Sequence, residues 1–99
     1  MRPIHLAKLD KTRPVLILTR ELVRPHLTRV TVAPITSTIR GLSTELPVGL
    51  RNGLHGESVV SVDNIVTIPI TALGQQIGFI FPDQEPALST AIQNAFDLE

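Results

Sequence analysis

The sequence has no cysteine, no tryptophan and no tyrosine. Without cysteine there is no disulfide framework, no thiolate zinc site and no thiol nucleophile. The three phenylalanines, Phe79, Phe81 and Phe96, are too few for the stacked-ring platforms of many single-strand binders, and their pattern assigns them to the core. No apolar run approaches the roughly 18 residues that a membrane span needs. The start, Met1-Arg2-Pro3-Ile4-His5, lacks the apolar stretch of a secretory leader, so the expected location is the cytoplasm. His5, His26 and His55 lie far apart, and no Asp-x-Asp cluster accompanies them, so neither metal nor cofactor is expected. A Gly-rich phosphate loop and a Gly-x-Ser-x-Gly nucleophile elbow are also missing.

What is present suits one small domain over residues 1–99. Hydrophobic residues make up 42% and charged residues 18%, a balance that buries a core. Net charge is zero, yet all nine Lys and Arg fall within the first 51 residues, beside only Asp10, Glu21 and Glu45. The rest holds six carboxylates and no Lys or Arg. Seven of the nine cations are Arg, whose planar fork matches phosphate. This division fits a basic surface for an anionic polymer, or a dipolar fold whose halves attract each other.

Eight prolines punctuate the chain and leave no long helical window before residue 83. Residues 4–9 alternate weakly, as an edge strand would. Residues 14–19 form an aliphatic run that reads as a strand buried on both faces. A polar loop carrying Pro25 follows, and residues 29–33 alternate as the next strand. Further short strands are expected at residues 45–48, 58–62, 65–70 and 76–81. The period then changes. Ala87, Leu88, Ala91, Ile92, Ala95 and Phe96 recur at helical spacing, with Asp83 as N-cap and Pro86 in the first turn. The expected fold is α+β: a small, strongly bent antiparallel β-barrel closed by a C-terminal helix.

The two central strands predict a site. With their loop centred near Arg24 and Pro25, Ile17 faces Val32 and Arg13 faces Thr36. Residues opposite each other in an antiparallel pair share a face. A guanidinium beside a hydroxyl binds phosphate, because Arg forks two oxygens and Thr donates one hydrogen bond. The same pair also fits a polar cap on a barrel rim. Ser37, Thr38 and Arg40 extend the site or form an ordinary hydroxyl-rich loop. His26 is the imidazole best placed for proton transfer, or a solvated loop residue. Asp63 and Asn64 fit a tight turn or a polar pair at the rim.

Arg13-Pro14-Val15-Leu16-Ile17-Leu18, followed by Val30-Thr31-Val32-Ala33-Pro34-Ile35-Thr36-Ser37, resembles the MazF/PemK family of toxin ribonucleases. Gly53-Leu54, Ser58-Val59-Val60, Asp63-Asn64-Ile65-Val66-Thr67-Ile68 and Leu73-Gly74-Gln75-Gln76-Ile77-Gly78 continue the match in order. The resemblance implies an SH3-like barrel, a homodimer and metal-independent, sequence-specific cleavage of single-stranded RNA. Messenger RNA is the expected substrate, with rRNA and tRNA as further candidates. It also implies a cognate MazE-like antitoxin that covers the substrate groove. Family catalysis falls on Arg13 and Thr36, with Arg20, Arg24, His26, Ser37, Thr38, Arg40, Asp63 and Asn64 as candidates for RNA contacts. The loop before Arg13 is cut to Asp10-Lys11-Thr12, shorter than is usual in the family. The alternative on the same fold is a non-enzymatic, CcdB-like inhibitor of a topoisomerase.

Overall fold

A computed structural model describes residues 1–98. Its strands are β1 (Arg2–Lys8), β2 (Thr12–Ile17), β3 (Arg29–Thr36), β4 (Glu45–Val48), β5 (Ser58–Ser61), β6 (Val66–Pro69) and β7 (Leu73–Ile80), followed by helix α1 (Glu85–Ala95). They form a curled antiparallel sheet, a half-barrel, in the order β4-β5-β3-β2-β1-β7, with β6 also on β3. The α+β architecture expected from the sequence is therefore the one observed. Strand β3 serves two partners on one side: Arg29 to Val32 pair with β6, and Ile35 and Thr36 pair with β5. No helix among the described residues is long and apolar enough to cross a membrane.

Alternation along β2 explains the packing. Val15, Leu16 and Ile17 are all fully buried, as a strand covered on both faces requires. Leu16 joins Ile4, Ala33, Ile35, Val60 and Ile80 in the larger core, which α1 covers with Leu88 and Ala91. Val15 and Ile17 face the other way, into a smaller cluster with Ala7, Val30, Val32 and Ile68. The sheet curls over this second cluster, so it needs no helix.

Three local expectations require correction. β1 is not an edge strand, because β7 pairs along its outer side. Asp83 is not the helix cap: it lies in the 3₁₀ turn Pro82–Gln84 and forms a two-pronged pair with Arg51 at 3.0 Å, while Gln84 precedes the helix. The phenylalanines are not core residues. Phe96 is 58% exposed and Phe79 37%, and Phe81 lies under the Arg51 guanidinium, 4.6 Å from ring centre to carbon. Branched aliphatic side chains fill the core without them.

Candidate active site

The hairpin of β2 and β3 pairs Val15 with Pro34, Leu16 with Ala33 and Ile17 with Val32. This is the register read from the sequence. Two residues beyond the Val15–Pro34 pair stand Arg13 and Thr36. Arg13 is held from its other side by Ala7 of β1, and Thr36 by Val59 of β5. Both side chains are half-buried and open to solvent. Together they line two adjoining clefts of about 400 and 480 Å³.

The Arg13 guanidinium is partly occupied. Its Nη2 donates to Asp10 Oδ2 at 3.0 Å, across the tight β1–β2 turn. Its Nε is buried and has no acceptor. With Nε enclosed, an oxygen-rich anion in the cleft meets the guanidinium through its terminal nitrogens, of which only Nη2 is engaged. Thr36 Oγ1 accepts the Thr38 backbone N–H at 3.1 Å. That bond engages the oxygen and leaves the hydroxyl hydrogen to donate.

One cleft carries Thr38, Arg40, Asp63 and Asn64 beside the pair, and the other carries Ser37 with Lys11, His55 and Ser58. The loop that brings Thr38 and Arg40 here is tied down by carboxylates. Glu45 accepts the backbone N–H groups of Arg40 and Leu42, and Asp63 accepts the Thr44 hydroxyl at 2.6 Å. Asn64 donates to Ser61 Oγ at 2.7 Å. Glu45 and Asp63 of the first cleft thus have structural hydrogen bonds, whereas the second cleft also holds Glu57, and the cationic groups face a mixed polar wall.

Arg20, Arg24 and His26 are not brought to these clefts. They lie in the β2–β3 connection, at the opposite end of the hairpin. The six residue steps from Arg13 to Thr19 in extended chain span about 20 Å. His26 is exposed in the 3₁₀ turn Arg24–His26 and lies too far away to move a proton at Arg13. Sequence reading does not assign Glu45 or Ser61 to the site, treats Asp10 and Lys11 only as part of the shortened loop, and ranks His55 behind His26. Asp10 had a usable signal, since an acid three residues before an arginine across a tight turn can reach it. His55 had none, because only the packing of its turn on β7 brings it near.

Asp10 has its carboxyl held below the ordinary value, chiefly by the Lys11 backbone N–H and then by the Arg13 side chain. A lowered folded-state pKa means the contact is present above the usual carboxylate range and lost only as pH falls through the lowered value. The Asp10–Arg13 contact is therefore expected to persist, and Asp10 not to titrate, between about pH 5 and 9. Asp10→Ala, which frees the guanidinium to wander, is expected to cut activity roughly 10- to 100-fold with the melting temperature nearly unchanged. Steady-state kinetics beside a thermal melt check this. A wild-type activity curve that falls off with a midpoint inside that pH window while Asp10→Ala stays flat would contradict it.

Among the described residues, no group of three or more His, Asp or Glu is placed to hold a metal ion. Residues 3–96 match the family described as PemK-like, MazF-like toxin of type II toxin-antitoxin system. Endoribonuclease MazF3 of Mycobacterium tuberculosis is 69% identical over 99 residues, covering all of this chain and 96% of that protein. The solved structure of Mycobacterium tuberculosis toxin MazF-mt6 superposes with a TM-score of 0.98 at 68% identity, covering 99% of each chain. An endoribonuclease in complex with its cognate antitoxin, from a mycobacterial species, superposes with a TM-score of 0.86 at 26% identity, covering 98% of this chain and 93% of that one. With the half-barrel and its helix matched almost end to end, the chain belongs to the PemK-like, MazF-like toxins of type II toxin–antitoxin systems.

Proposed function

We propose that this toxin is an endoribonuclease that cuts single-stranded RNA at the Arg13–Thr36 cleft without a metal ion. The ribose 2′-oxygen attacks the adjacent phosphorus and the bond to the 5′-oxygen breaks. The products are a 2′,3′-cyclic phosphate and a 5′-hydroxyl end. One proton leaves the 2′-hydroxyl and one reaches the departing 5′-oxygen, so the sum is neutral. Charge gathers on the phosphoryl oxygens in the transition state, and preorganised donors aimed at that charge are the main lever a protein has. Arg13 supplies a permanent cation lining the cleft, and Thr36 supplies a hydroxyl hydrogen to a non-bridging oxygen. Arg13 cannot take the 2′-proton, since a guanidinium in a protein is already protonated. Ser37, Thr38, Arg40, Asp63 and Asn64 border the cleft and contact the flanking nucleotides.

The observation that carries this reading is the shared cleft of Arg13 and Thr36, with a donor of each still free. Around it, Ile39, Leu42 and Val66 are between 40% and 50% exposed, which suits a homodimer contact. A MazE-like antitoxin would silence the enzyme by covering the same groove, and the RNA substrate places the pair in the cytoplasm. The test is cleavage of a long RNA in EDTA with both product ends mapped. Cyclic phosphate and 5′-hydroxyl ends are expected, and a 2′-deoxy nucleotide at the cut position should block the reaction. Cleavage that persists through that substitution would overturn the mechanism. Inhibition of topoisomerase supercoiling with intact RNA would favour the CcdB-like alternative.

A further inference from the structure

The described residues contain two buried side-chain donors without a partner, and both are arginine Nε atoms: Arg13 and Arg24. The first belongs to the cleavage cleft. The second borders a separate cleft of about 350 Å³ at the far end of the β2–β3 hairpin, lined by Arg2, Thr19, Arg20, Glu21, Arg24 and Glu85, among others, so that three arginines outnumber two carboxylates there. Arg2 is already committed there. It pairs with Glu85 at 3.0 Å and donates to the Leu18 carbonyl at 3.0 Å, so it forms a wall. Arg20 and Arg24 are not committed: the three salt bridges among the described residues are Arg2–Glu85, Arg13–Asp10 and Arg51–Asp83.

Their placement is built into the backbone. Val23 N–H reaches the Arg20 carbonyl, His26 N–H the Val23 carbonyl and Leu27 N–H the Arg24 carbonyl, three successive turns that hold Arg20 and Arg24 on one short coil. Pro25 fixes its own φ within that coil, which limits its freedom further. Thr19 repeats the chemistry of Thr36. Its Oγ1 accepts a backbone N–H, from Thr31 at 2.8 Å, and its hydroxyl hydrogen remains to donate. An arginine with an orphaned Nε and a threonine with a free hydroxyl hydrogen thus occur at both ends of one hairpin.

We propose that Arg20, Arg24 and Thr19 form a second phosphate-binding site, which grips the RNA backbone several nucleotides from the cut. This rests on the RNA-cleaving reading of the Arg13 cleft. The second site binds and does not cut: it lies about 20 Å from the scissile phosphate along the extended strand and only extends the track that the substrate follows. A phosphate contact of this kind adds affinity without sequence information. It therefore acts on substrates long enough to reach it.

The experiment uses two RNAs with a 2′-deoxy nucleotide at the cut position, so that binding is read without cleavage. One covers only the cut site, and the other extends about 20 Å or more to each side. Arg20→Glu is the main variant, since Arg20 is exposed and forms none of the salt bridges. It is expected to weaken the long RNA about tenfold and the short RNA not at all, and to lower the salt slope by about 0.7. With cleavable RNA, KM for the long substrate should rise with kcat unchanged. Arg24→Ala should act in the same direction, and Arg24→Lys should recover part of the loss. Equal weakening of both lengths, or no change in either, would overturn the second site. If the wild-type protein leaves cleavable RNA of both lengths uncut, it is the Arg13 reading that fails.

Discussion

Arg13→Ala is expected to lower the rate of RNA cleavage at saturating substrate by about 10²–10³-fold or more, the usual cost of losing one donor to transition-state charge. Thr36→Ala should cost a similar factor, because it removes the hydroxyl hydrogen while the strand pairing of Thr36 survives. Thr36→Ser retains the donor and should keep much of the activity. Arg13→Lys keeps a cation but loses the planar fork, and should fall between wild type and alanine. The melting temperature separates chemistry from folding. Arg13 reaches only the exposed Asp10, and its Nε has no acceptor, so truncation removes an unsatisfied donor and should not destabilise the fold. Full activity in either alanine variant, with the protein still folded, would reject the site.

The second large effect concerns stability. The 3₁₀ turn Leu50–Asn52 docks on β7 backbone to backbone. A Cβ on Gly78 would stand 1.9 Å from the Asn52 carbonyl oxygen, and one on Gly53 would stand 2.1 Å from the Ile77 carbonyl oxygen. Neither contact can be relieved by a side-chain rotation, since the obstacle is main chain. Gly53 also has φ of +88°, the left-handed region that other residues rarely enter. Asn52 locks the dock. It is 1% exposed, accepts the Gly49 N–H at 3.1 Å, and donates to the Phe79 carbonyl and to Gln84 Oε1, each at 2.8 Å. Gly78→Ala is therefore expected to destabilise by more than about 3 kcal/mol. In a domain near 100 residues that is a fall in melting temperature of about 12 °C or more. Gly56→Ala, with open space around the new methyl, is the matched control and should change little. Equal melting temperatures for the two variants would show that the turn can lift off β7 without penalty.

These two sites differ in how far the sequence revealed them. The Arg13–Thr36 juxtaposition was legible because a hairpin register follows from the centre of its loop, and side-chain direction then follows from a period of two. The doubly buried β2 was legible from its unbroken aliphatic run. The dock of Asn52 on Gly78 was not, since Asn-Gly reads as an ordinary turn until β7 arrives beside it. The edge assignment of β1 failed for the same reason: its outer partner lies some 70 residues along the chain, and no local pattern announces it. Asp83 misled because an acid before a helix resembles a cap, whereas Arg51 competed for the carboxylate and won with two hydrogen bonds. Charge points to Arg20 and Arg24, and a place in the loop between the two strands points to His26, yet that loop lies at the wrong end of the hairpin. Composition cannot report which end of a strand a residue occupies.

The hairpin geometry also bears on natural variation. Adding or removing a single residue inside β2 or β3 would turn Arg13 or Thr36 to the reverse side of the sheet, because strand faces alternate. The connection over residues 18–28 tolerates changes in length, since it closes the hairpin at the end remote from that pair. Relatives should therefore preserve the spacing within the strands while differing in the loop, and with it in how firmly they hold the outlying stretch of a transcript. Cutting chemistry would be inherited, while reach along the substrate could diverge.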